Sequence, residues 1–121
     1  MIYELREYVA APGAADRLHR RFADATLDLF ARHGLRPLGF WHVQEDPGRI
    51  IYLLGFPDEE TRQRSWASFR EDKDWRRVKQ ESEAEGPIMT ELISRVLIAP
   101  DYVAHASAAH GPETSFLLKR R

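Results

Sequence analysis

The strands of this chain carry apolar residues on both faces, and that feature narrows the fold more than any other. In extended backbone, successive side chains point to opposite sides. In the run RIIYLLGF, Ile50, Tyr52, Leu54 and Phe56 therefore share one side, and Ile51 and Leu53 take the other. In the run before it, Leu38 and Phe40 oppose Trp41 and Val43; in the last, Leu92 and Val96 oppose Ile93 and Leu97. A sheet with one wet face alternates cleanly between apolar and polar residues. These strands do not, so both faces need cover.

The opening stretch MIYELREY sharpens the question. Tyr3, Leu5 and Val9 fall on one side and read as the core face, while Ile2, Glu4, Arg6 and Tyr8 fall on the other. The second set is too apolar for open solvent and too polar for a dry interior, which fits the wall of a cavity. After Pro12 and Gly13, Leu18, Phe22, Ala25, Leu29 and Phe30 recur at helical spacing up to Gly34, a residue suited to close a helix. A β-hairpin follows, its loop expected near Asp46 to Gly48. Asp58 is placed to cap a second helical region with Trp66, Phe69, Trp75 and Val78 on its buried side, and the DKD at 72–74 can divide it in two. The last strand lies between Pro87 and Pro100.

The resulting order, strand, helix, strand, strand, helix, strand, predicts an α+β, ferredoxin-like βαββαβ domain over residues 1–100, a four-stranded antiparallel sheet with its helices on one face. Nothing in that domain is left over to cover the second face. A second copy of the chain is the economical cover, giving a two-fold homodimer. The alternative is that residues 101–121 fold back over the sheet, although they offer little apolar surface before Phe116. By composition this segment is a tail, expected to dock on the dimer.

At this point YELREY followed by PG, RHGLRPLGFWHV at the end of the first helix, the hairpin into IYLLGF, DKDW and the final ISRVLIAP together resemble the NIPSNAP family. The resemblance covers roughly residues 1–100. It implies a dimeric α/β barrel, two sheets packed face to face with the helices outside and a cleft in each protomer. It implies no reaction, because the wider superfamily includes cofactor-free oxygenases, isomerases, haem-binding enzymes and proteins without known activity.

Composition removes several classes of function. A net charge of −1 and a pI near 6.5 do not suit a nucleic-acid binder. No apolar run reaches the ~20 residues of a membrane span. The apolar start is interrupted by Glu4, Arg6 and Glu7, unlike a signal peptide, so a cytoplasmic location is expected. The absence of cysteine excludes disulfides and thiolate chemistry. No H-x-x-x-H or H-E-x-x-H spacing occurs and glycines are scattered, so no metal, cofactor or phosphate loop is assigned. Serines 65, 68, 82 and 94 lack the context of a nucleophile elbow, which makes Ser/His/Asp catalysis a weak reading.

The remaining candidates group around the first strand. Arg6 can hold a carboxylate, phenolate or enolate while Tyr8 donates to the same oxygen; the alternative is that Glu4 and Arg6 form a structural ion pair. His42, the histidine expected inside a strand, is the general acid/base candidate, against the reading of a core histidine satisfied by a carbonyl. Glu4, Tyr52, Phe40 and Trp41 are expected to bind ligand, with Glu4, Arg6, Tyr8, His42 and Tyr52 around one cavity per protomer. Two functions follow. The first is a barrel that binds a mostly apolar, oxygen-bearing small molecule and acts on it as a cofactor-independent oxygenase or proton-transfer enzyme. The second is a non-catalytic structural or interaction module.

Overall fold

In the computed structural model, residues 1–103 are described. Strand β1 (Ile2–Ala10) leads into a helix made of α1 (Ala15–Arg21), a π-helical turn (Phe22–Thr26) and α2 (Leu27–Arg32). Strands β2 (Pro37–Val43) and β3 (Asp46–Phe56) form the hairpin, helices α3 (Glu59–Glu71) and α4 (Lys73–Ser82) follow, and β4 (Met89–Ile98) ends the domain. The strands make one antiparallel sheet in the order β2-β3-β1-β4, so β1 lies in the interior next to β3 and β4. This is the α+β, ferredoxin-like arrangement expected from the element order.

Local chemistry accounts for the boundaries. The first helix closes at Gly34, whose φ of 78° is left-handed, and the chain turns so that the Leu35 N–H donates to the Phe30 carbonyl at 2.8 Å. The Asp58 carboxylate caps α3 by accepting from the Thr61 N–H at 2.7 Å. Asp72, extended at φ −64° and ψ 123°, separates α3 from α4 and caps α4 through the Asp74 N–H. The division expected at DKD is therefore made by a single residue. Within the described residues, no helix is long and apolar enough to cross a membrane.

Two expectations about the strands are corrected. The hairpin turns at Gln44 and Glu45, so Asp46, Pro47 and Gly48 already belong to β3. Val43 pairs with Asp46 across a register shift after His42; at the first residues of a strand a proline withholds no needed donor. The second correction concerns which face of β1 is core. Ile2, Glu4, Arg6 and Tyr8 lie beneath the helices together with Ile50, Tyr52, Leu54 and Phe56 of β3, through the pairs Glu4–Leu54, Arg6–Tyr52 and Tyr8–Ile50. Tyr3, Leu5 and Val9 face away from the helices and are only partly buried. The helices supply hydrogen-bond partners as well as apolar cover, which reverses the assignment made from polarity alone.

The core fills the layer between sheet and helices, where Leu18, Phe22, Phe30, Tyr52, Phe56, Trp66 and Phe69 are buried. Helical cover stops short of β4. Its Leu92, Val96 and Ile98, on the helix side by their pairing with Tyr8, Glu4 and Ile2, remain exposed. The tail expected to dock on the dimer lies, beyond Val103, outside the described residues.

Candidate functional site

The centre of the site is a carboxylate that never reaches water. Glu4 has no exposed surface, and four donors meet it: Arg6 Nη1 at 2.9 Å and Ser94 Oγ at 2.6 Å on Oε2, Trp66 Nε1 at 2.7 Å and Arg62 Nη1 at 3.1 Å on Oε1. Burial by itself would raise this carboxyl, but the hydrogen bonds from Ser94, Trp66 and Arg6 outweigh it and hold Glu4 below its ordinary value. Two strands and one helix are thereby tied to a single side chain. The structural ion pair weighed from the sequence is present.

Arg6 is oriented by the same network. Its Nη2 donates to Tyr8 Oη at 3.0 Å, its Nε to Tyr52 Oη at 2.9 Å, and its guanidinium carbon lies 4.1 Å from the Trp66 ring centre. Burial alone would lower the guanidinium; Tyr8, Tyr52 and Glu4 together raise it, and it stays charged. Burial, with Tyr8 beside it, pushes the Tyr52 phenol well above its ordinary value, so Tyr52 stays protonated at neutral pH. The two phenol oxygens are 2.8 Å apart, so one donates to the other. One hydroxyl proton of the pair is left over. Tyr52 is fully buried and Tyr8 lines a cavity, so when Tyr52 donates within the pair the Tyr8 hydroxyl is free to donate to a ligand there.

That cavity, of about 180 Å³, lies between the sheet and the helices. Arg6, Tyr8 and Leu92 come from the sheet, Arg21, Phe22, Thr26 and Phe30 from the first helix, and Trp66, Phe69, Trp75 and Lys79 from α3 and α4. The π-helical turn supplies Phe22 and Thr26 to it directly. Wide turns of this kind interrupt regular helical pairing and recur at functional sites. The Thr26 hydroxyl and the Arg21 Nε are buried without a hydrogen-bond partner among the described residues. Unpaired buried groups of this kind each forgo on the order of 1–3 kcal/mol.

Glu4, Arg6, Tyr8 and Tyr52 thus come together as one network, while three other candidates lie outside it. Phe40 stacks on Tyr52 at 5.4 Å with the rings 14° apart, behind the phenol rather than on the cavity wall. Trp41 points to the opposite face of the sheet, pairs with Ile51, and is 55% exposed. His42 does not share the volume expected for it. It is exposed on the outermost strand, its ring packs against His19 at 5.4 Å, and Nδ1 lies 3.2 Å from the Val43 carbonyl. The edge position of β2 leaves it exposed beside the first helix, away from the cavity.

Arg21, Thr26, Ser94 and Arg62 were missed, and two had a visible signal. Thr26 lies four residues after Phe22 on the apolar stripe of the first helix, and Ser94 lies between Leu92 and Val96 on one face of the last strand. A lone hydroxyl in an apolar row calls for a partner. Ser68, His33 and Asp72 do meet: Ser68 Oγ is 2.5 Å from His33 Nδ1, and Asp72 Oδ2 is 2.6 Å from His33 Nε2. Asp72 also accepts from Arg32, and Ser68 does not line the cavity between sheet and helices. The trio pins the end of the first helix to the α3–α4 junction.

A family model described as NIPSNAP matches residues 3–103. A NIPSNAP-like domain protein from Burkholderia xenovorans superposes with a TM-score of 0.72 at 19% identity, over 85% of this chain and 88% of that one. A NIPSNAP family protein from Agrobacterium tumefaciens gives a TM-score of 0.72 at 17% identity, over 83% and 93%. SnoaB, a cofactor-independent oxygenase from Streptomyces nogalater, gives 0.57 at 15% identity, over 83% and 93%. Among curated proteins none matches this chain.

Proposed function

The chain belongs to the NIPSNAP family, and from that premise we propose that it binds a mostly apolar, oxygen-bearing small molecule in the cavity between its sheet and helices. The observation that carries this reading is the Tyr8 hydroxyl beside a charged, immobilised Arg6 at the floor of an aromatic-walled cavity. A phenol donor and a guanidinium held in place before the ligand arrives stabilise charge that develops on a ligand oxygen, as an enolate or phenolate requires. The geometry supports oxyanion stabilisation better than proton abstraction. The described residues lining the cavity include no carboxylate and no imidazole, and His42 lies elsewhere. In its enzymatic form the reading is a cofactor-independent oxygenase or isomerase acting on a substrate already acidic enough to ionise against Arg6. The shared fold with SnoaB supports that form by analogy alone.

A thermal-shift screen of a metabolite panel tests the reading. A specific ligand should raise the melting temperature of the wild type and of His42→Ala, and should lose that effect in Arg6→Ala and Tyr8→Phe. If no compound stabilises the wild type, or Arg6→Ala responds equally, the cavity has no such role and the interaction-module reading replaces it.

The functional unit we propose is the homodimer, with residues 1–100 as the barrel domain and the tail from Asp101 docked on it. Tyr3, Leu5, Trp41, Ile51, Leu53, Ile93 and Leu97 share the face away from the helices by strand pairing. Trp41 and Leu97, 55% and 40% exposed, make it an apolar surface that a second copy would bury. Light scattering at micromolar concentration should give twice the chain mass, Trp41→Glu should give the monomer, and ending the chain at Pro100 should weaken association. A monomeric wild type would refute the dimer.

A further inference from the structure

We infer that the ligand is a single-ring aromatic carboxylate, its carboxylate held by Arg21 and Thr26 on the helical roof of the cavity and a second oxygen held by Tyr8 and Arg6 on the sheet floor. This ligand class presupposes the small-molecule reading above and adds the ligand's charge, size and direction of binding.

Three observations converge on it. The first is that the buried side-chain polar atoms lacking a partner among the described residues, Thr26 Oγ1 and Arg21 Nε, belong to residues lining the same cavity. Thr26 is 3% exposed and Arg21 7% exposed, so water does not pair them freely. Native proteins pair nearly all such groups. In a regular helix a threonine hydroxyl can turn back to a carbonyl of the preceding turn, but Thr26 ends the π-helical turn and makes no such bond. Both orphans are donors, an N–H and an O–H, and a carboxylate is an acceptor at both oxygens.

The second observation is charge. At the floor, Glu4 faces both Arg6 and Arg62; at the roof, Glu83 faces both Arg21 and Lys79. At the roof, one carboxylate against two cations leaves a positive charge uncompensated; at the floor Glu59 also pairs with Arg62, so two carboxylates face two cations. The third is size. A dry apolar cavity of about 150 Å³ admits benzene in another protein, and this one measures about 180 Å³ with Phe22, Phe30, Phe69 and Trp75 on its walls. One ring with small polar substituents at opposite ends fits such a space.

Calorimetric titration of the full chain with 4-hydroxybenzoate and its neutral isostere 4-hydroxybenzamide, in wild type, Thr26→Val and Tyr8→Phe, tests this. The acid should bind at least about tenfold tighter than the amide, roughly the worth of one charge-assisted hydrogen bond. Thr26→Val should weaken the acid by about tenfold and the amide by less, and it should melt no lower than wild type, since it removes an unsatisfied buried hydroxyl. Tyr8→Phe should weaken both compounds. Equal affinity for acid and amide, or an acid indifferent to Thr26→Val, overturns the roof site while leaving the small-molecule reading intact. The roof site fails in the same way if neither compound binds but another member of the metabolite panel does. If nothing in either set binds, both fail together.

Discussion

Replacing Glu4 with glutamine should cost about 3–5 kcal/mol of folding stability, the usual consequence of removing one partner from a buried ion pair. Glu4 has no exposed surface, and the Arg6 side chain keeps 13% of its own. Glutamine preserves the shape, yet it removes the charge that compensates Arg6 and places an NH2 where one of the pairs Ser94–Arg6 or Trp66–Arg62 needs an acceptor. Urea denaturation at neutral pH measures the loss, and a variant within about 1 kcal/mol of wild type would contradict the account. The pH dependence follows from the same carboxyl. Its folded value lies below the ordinary 4.5, so the unfolded chain takes up the proton more readily. Glu4 therefore contributes stability that is fully present above about 4.5 and disappears as the pH falls through the folded value. Wild type should weaken progressively in acid below that point, and Glu4→Gln should show a flatter acid limb.

Phe30→Ala should be comparably damaging, about 3–5 kcal/mol, as expected for deleting a buried ring. Phe30 is 1% exposed and its ring meets Phe69 at 5.0 Å, Trp66 at 5.5 Å, Tyr52 at 5.8 Å and Phe22 at 6.3 Å, mostly edge to face. Nearby small groups cannot collapse into the gap, because those neighbours are themselves rings held by other contacts. Against a total stability of about 5–15 kcal/mol typical of such domains, the variant should be close to unfolding at 37 °C. Phe30 also lines the cavity, so the truncated protein should be partly rescued by an apolar compound that fills the added space. Denaturation with and without such a compound checks both parts. A loss below about 1.5 kcal/mol would mean that the aromatic layer repacks freely.

Strand and helix order could be read from period alone, because Leu18, Phe22, Leu29 and Phe30 are separated by helical intervals and Ile50 to Phe56 by strand intervals. The cap at Asp58 and the break at Asp72 could be read because each is a local event, complete within a few residues. From the order came the antiparallel ferredoxin-like sheet with β1 in its interior. The grouping of Glu4, Arg6 and Tyr8 needed only alternation along one strand.

The sense of the faces was another matter. Polarity marked the Glu4 side as unusual, but whether it met helices, a partner or water depended on Trp66, Arg62 and Ser94, 62, 58 and 90 residues away in sequence. His42 illustrates the same limit. Alternation put it on the side of Phe40, and it is there, yet it meets His19 at the margin of the helical layer and stays exposed, outside the cavity. Thr26 became a cavity residue through a π-helical turn that the apolar period does not reveal, since one widened turn shifts the stripe by less than its own width. What the chain determines by itself is thus set by neighbours in sequence: element type, order, caps, and which residues share a face. What only the tertiary structure decided is what each face meets, because the free energy of a buried charge or hydroxyl is settled by partners that the chain brings from a distance.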